Sequence, residues 1–208
     1  MIATLSPKIA LPKIPAKKIP PYLIYEIFDG KPVYYKNYRK VLNGTLTPEE
    51  IMGSSGLQAI IIEYILWVCF SKIDRKKYKA LTNETGQHLD NKNNLSADIA
   101  IYDTNIFDVK NADKHYTIVP PKIQIEVNID ADTEDFGSPN TYAFKKTEKL
   151  LNFGVEKVIW IMSDNKKVIV ATKTANWEII DWSKEIEIMD GITFNIGQYL
   201  KENDSPFA

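Results

Sequence analysis

From Gly56 to Ile73 the chain reads GLQAIIIEYILWVCFSKI, apolar around most of a helical circumference, with Gln58 and Glu63 as its only strongly polar interruptions. A surface helix buries one stripe. A helix that is apolar on most sides needs cover from more than one direction, so this segment predicts a helix sandwiched between layers. Layered α/β packing supplies such cover.

The flanking segments supply the strands. "YLIYEIF" and "KPVYYKNY" surround Asp29-Gly30, a strong hairpin signal. "TPEEI" predicts a short helix with Pro48 at its first position, ended by Gly53. "KYKALTNETGQHLDNKNNLSADIAIYD" reads as strands around an Asn- and Asp-rich turn region, and "IQIEVNI" as a further strand. After an acidic loop, Ser138 as N-cap and Pro139 start a helix that runs to Phe153, with Gly154 as its stop. "EKVIWIM" and "KKVIVATKT" form a hairpin, a final hairpin is expected around "NWEIIDW" and "IEIMDGITFNI", and a short C-terminal helix follows. A length of 208 residues suits one substantial core and is short for two. The expected organisation is a Lys/Pro-rich flexible arm over 1–21, a single domain over 22–202 and a tail over 203–208.

Composition narrows the function classes. A formal net charge of -1 gives no global basic field, so any nucleic-acid surface must be local. The single cysteine, Cys69, permits no intrachain disulfide, and two histidines without zinc-type spacing argue against a zinc site or a Cys/His catalytic pair. Any metal is then a hard cation on oxygen. No apolar run approaches a membrane span, and the arm, with Lys8, Lys13, Lys17 and Lys18 among prolines, is unlike a signal peptide, so a cytoplasmic location is expected. There is no internal repeat, glycine-rich phosphate loop or nucleophile elbow.

Two anomalies carry chemistry. In "IQIEVNI", Ile123, Ile125 and Val127 share one strand face while Gln124, Glu126 and Asn128 share the other. The simplest reading of the polar face is that it is wet. In the helix after Ser138, Tyr142, Lys146, Leu150 and Phe153 fall on one face, so a lysine interrupts an apolar stripe and either extends its head to water or meets a buried anion. Asp98 at the start of "DIAIYD" and Glu126 on the next strand are available anions. Two carboxylates on adjacent strands can hold Mg²⁺ or Mn²⁺, with the carbonyl of Val127 as a third ligand. Such a cation activates water and neutralises charge on a scissile phosphate, and an ammonium assists. The set Asp98, Glu126 and Lys146 therefore suffices for phosphodiester hydrolysis, with Gln58, Glu63, Gln124 and Asn128 as accessory positions.

The order "IYEIFDG", "EIMGSSGLQAIIIEYIL", "SADIAIYD", "IQIEV" and "KKTEKLLNFGVEKVIWIM" resembles the Uma-type restriction endonucleases, within the PD-(D/E)XK nuclease superfamily. The resemblance spans about Tyr22 to Tyr199 and implies a restriction-endonuclease-like α/β fold: a mixed central sheet flanked by helices, with additional β-hairpins. It assigns the motif aspartate to Asp98, the strand glutamate to Glu126 and the lysine to Lys146, moved to the helix from the superfamily position occupied here by Asn128. It implies Mg²⁺-dependent cleavage of DNA, and a homodimer is a further expectation. Two departures stand out: Ala97 replaces the usual proline, and Leu57-Gln58 stands where many relatives have His-Gln. The competing reading is a nucleic-acid-binding or protein-interaction module that keeps the fold without turnover.

Overall fold

A computed structural model describes residues 19–208. Most of the expected arm, including its four lysines, lies outside the described residues. The chain opens with β1 (Ile24–Phe28) and β2 (Lys31–Tyr34), an antiparallel pair closed by Asp29 and Gly30 at φ 52° and 74°. Both turn residues have positive φ, which matches the right-handed twist of the strands they join. Three helices follow: α1 (Tyr38–Leu42), α2 (Glu49–Met52) and α3 (Gly56–Lys72), the last capped by Ser55, whose side chain accepts from the Gln58 backbone N–H. Next come β3 (Tyr78–Leu81), β4 (Gln87–Asp90), β5 (Asn93–Leu95), β6 (Ile99–Asp103) and β7 (Ile123–Val127). Helix α4 (Pro139–Phe153) leads to β8 (Lys157–Met162), β9 (Lys167–Thr172), β10 (Glu178–Asp181), β11 (Ile186–Met189), β12 (Ile192–Phe194) and α5 (Ile196–Glu202).

The central sheet is mixed, with strand order β10-β9-β8-β7-β6-β3. Only β7 and β8 run parallel, because α4 carries the chain back across the sheet between them. One sheet face packs Ile99, Ile101, Ile125 and Ile159 against α3, α5 and the β11–β12 hairpin. The other packs Val158, Trp160 and Ala171 against α4 and a second sheet of order β2-β1-β5-β4. The expected fold class, a mixed central sheet with flanking helices and extra hairpins, is the one observed.

Two expectations are corrected. Helix α3 is covered on one side only: it buries Ile61, Ile65, Val68 and Cys69, while Ile60, Trp67 and Phe70 remain about half exposed. All-round apolarity measures composition, and composition does not state which neighbours are present. The last hairpin also divides differently. "EIID" joins the central sheet as edge strand β10 beside β9, and the hairpin is formed within "IEIMDGITF", turned at Asp190-Gly191. The second Asp-Gly pair, both residues at positive φ, again sets the turn. The tail beyond α5 folds back, with the Lys166 ammonium donating to the Ala208 carbonyl at 2.6 Å.

Gly154 ends α4 at φ 125°, and a Cβ there would lie 2.9 Å from Pro120 Cγ. Gly154→Ala combines a left-handed backbone with that clash and should cost about 2 kcal/mol. A thermal melt showing no loss would remove the stop from its structural role.

Candidate active site

Strands β6 and β7 are antiparallel with Ile99 opposite Ile125. One step further the register sets Asp98 opposite Glu126, and directly opposed residues share a face. The face that carries Gln124 and Glu126 is not wet: their exposures are 0% and 2%. The alternation predicted a polar side. It did not reveal that α4 and the β2-β1-β5-β4 sheet close over it.

Lys146 enters this closed space from α4. Its exposure is 0%, and its ammonium donates to Glu26 Oε1 at 2.7 Å and the Ser96 carbonyl at 3.0 Å and pairs with Glu126 Oε1 at 3.1 Å. An ammonium has three N–H donors. All three have partners, so no N–H is left over for a phosphate while this arrangement holds. Burial would lower the lysine's pKa, but the Glu126 and Glu26 carboxylates more than offset it and hold the group above its ordinary value.

Glu126 Oε1 also accepts from Gln124 Nε2, and Gln124 accepts in turn from Gln87 Nε2 at 2.8 Å. No donor among the described residues reaches Glu126 Oε2. Asp98 Oδ2 accepts from the Val127 backbone N–H at 2.6 Å, and no described donor reaches its Oδ1. Burial pushes Glu126 up to about 8, opposed by Lys146 and reinforced by Asp98 and Glu26. Burial likewise raises Asp98 to about 6, against the pull of the Val127 N–H and Lys146. Both carboxylates are thus costly to ionise without further positive charge.

The accessory positions separate. Gln58 is buried and donates to the Val127 carbonyl at 2.9 Å, so it borders the cluster. Gln124 orients Glu126. Asn128 does not share their face: the strand has ended, its φ is 64°, and its Oδ1 accepts from the Ser163 N–H and hydroxyl, tying down the turn after β8. Glu63 lies five residues beyond Gln58, about 140° further around α3, and is exposed beside Tyr64, Trp67 and Glu202, away from the cluster.

The sequence reading missed Glu26. It is 4% exposed on β1, and besides Lys146 its Oε1 accepts from the Ser96 N–H at 2.9 Å and Ser96 hydroxyl at 3.2 Å, while Oε2 accepts from the Tyr142 hydroxyl. A signal existed. Glu26 shares the buried side of β1 with Phe28, so β1 carries a lone glutamate beside an apolar residue on its inner face just as α4 carries a lone lysine.

A cleft of about 360 Å³ opens beside Asp98, lined also by Gln58, Tyr25, Glu84 and Asp130. A larger one, about 870 Å³, adjoins it at Gln58 and Asp130 and includes Lys36. Among the described residues no group of three or more His, Cys, Asp or Glu side chains is placed to hold a metal ion. The donor chemistry nonetheless suits a hard divalent cation that takes one or two carboxylates and keeps several waters: Asp98 Oδ1, Glu126 Oε2 and the Val127 carbonyl, shared with Gln58, are all oxygen.

No protein-family model and no curated protein matches the chain. Among solved structures, a candidate nuclease belonging to DUF820 from Anabaena variabilis is similar at a TM-score of 0.61 and 16% sequence identity, covering 85% of this chain and 89% of that one. At this identity the likeness concerns the fold. No helix among the described residues is long and apolar enough to cross a membrane.

Proposed function

We propose that the protein is a divalent-metal-dependent nuclease of the Uma-type group that hydrolyses DNA phosphodiester bonds. The observation that carries this reading is the cluster of half-buried Asp98, just before β6, with buried Glu126 on β7 and buried Lys146 on α4 of a nuclease-like fold, one carboxylate oxygen of each acid being left without a protein donor. Asp98, Glu126 and the Val127 carbonyl would hold Mg²⁺ or Mn²⁺. Bound there, the cation supplies an acidified water and charge neutralisation at phosphorus. Gln124 fixes Glu126 Oε1, and the Val127 N–H fixes Asp98 Oδ2, so both ligands are pre-positioned before substrate arrives.

One observation favours the competing reading, a binding module without turnover. The cleft beside Asp98 is lined by Glu84, Asp98 and Asp130 and by no lysine or arginine. Cleavage of supercoiled plasmid separates the two. Wild-type protein with Mg²⁺ or Mn²⁺ should nick it, EDTA should stop the reaction, and Glu126→Gln should lower the rate by about a hundredfold or more. Mn²⁺ binding without cleavage of duplex or single-stranded DNA would assign the protein to the binding module instead.

A further inference from the structure

We propose that Glu26 is a positioning residue of this site: it holds the Lys146 ammonium as its own counter-ion and so keeps Glu126 available to a divalent cation. The inference rests on the metal-site reading above and deepens it.

The distances give the order of partners. Lys146 Nζ lies 2.7 Å from Glu26 Oε1 and 3.1 Å from Glu126 Oε1. A lysine placed against a metal-binding glutamate competes with the cation for the same charge, and a nearer anion relieves that competition. Glu26 is not itself open to a metal. Its two oxygens already accept from Lys146, the Ser96 N–H and hydroxyl, and Tyr142, a shell drawn from α4 and the segment after β5.

Charge balance points the same way. Asp98 and Glu126 against Lys146 leave one negative charge, and adding Glu26 leaves two, the complement of a divalent ion. A third buried carboxylate is costly to ionise. A purely structural Glu26–Lys146 pair would join β1 to α4 equally well wherever the metal ligands lay. Here the pair is built around the ligand: the same ammonium touches both glutamates, and the Ser96 carbonyl that it touches also accepts from Gln124 at 3.3 Å.

Calorimetric titration of the full chain with Mn²⁺ at pH 8 tests this, with melts in EDTA confirming that each variant folds. Glu26→Gln removes one charge and leaves Lys146 to Glu126, so affinity should fall at least about tenfold, as expected for one close charge contact. Glu26→Gln combined with Lys146→Met restores the net charge and frees Glu126, and should bind within about threefold of wild type because the two charges cancel. A merely structural role predicts that the double variant is worse than either single one. Should Glu26→Gln not fold, Glu26→Asp carries the test: it keeps the charge but draws it back from the ammonium, and Mn²⁺ affinity should fall about threefold or more. Unchanged affinity in Glu26→Gln, or in Glu26→Asp where it stands in, or a double variant weaker than the single, overturns the proposal while the metal site stands. Absence of Mn²⁺ binding by the wild type overturns both.

Discussion

At pH 8 and without metal, the Lys146→Ala variant is expected to melt roughly 10 °C below wild type, the shift that corresponds to a loss of about 3–5 kcal/mol in a domain of this size. The residue is fully buried between two buried glutamates, so its removal leaves Glu26 and Glu126 without their shared cation and opens a cavity. Two controls separate charge from volume. Lys146→Met refills the space and should recover only the packing share. Lowering the pH should recover the charge share, because Glu126, already raised toward 8, rises further once the lysine no longer opposes it and takes up a proton. The gap between Lys146→Ala and wild type should therefore be wider at pH 8 than at pH 5.5. A Lys146→Met melt within about 2 °C of wild type at pH 8 would show that the ammonium contributes little to stability.

The second large effect has opposite signs for stability and function. Asp98→Asn keeps an oxygen to accept from the Val127 N–H and removes the charge that burial opposes. The folded-state pKa of Asp98, about 6, lies above its ordinary value of 3.8, so its protonated form is favoured by folding. That contribution is fully present below the unfolded pKa and is lost as pH rises through 6. At pH 8 the metal-free Asp98→Asn protein should therefore be more stable than wild type by about 2–3 kcal/mol, the difference closing toward pH 4. If the protein is the proposed metal-dependent nuclease, the same variant loses a ligand and should cleave DNA at least about a hundredfold more slowly. Melts across pH in EDTA, with plasmid cleavage in Mn²⁺, measure both. A destabilised Asp98→Asn that still binds Mn²⁺ would make Asp98 a structural residue.

These two expectations differ from what the motif residues alone suggest. Read along the chain, Lys146 extends to water or meets a buried anion, and it assists at a phosphate. In the folded protein its three N–H groups already have acceptors, so its first role is to hold Glu126 and to be held by Glu26. Asn128 shows the same limit of local pattern. Alternation places it with Glu126, but the strand ends at Val127 and the positive φ at Asn128 turns its side chain to Ser163. Asn128 therefore offers no position from which a lysine would reach the cluster.

The sequence alone determined the local features: the Asp29-Gly30 turn, the bounds of α4 between its Ser138 cap and Gly154 stop, the β8–β9 hairpin, and the polar side of β7. Each depends on backbone preference or side-chain period within a few residues. Only the tertiary structure decided that this polar side is buried, that α3 keeps an exposed flank, and that Glu26, 120 residues from Lys146, is the lysine's nearest partner. The reason is physical. A lone charge on an apolar face states that a partner is needed, but which element delivers it depends on how β1 and α4 close over β7, and that geometry is set by packing between segments far apart in the chain.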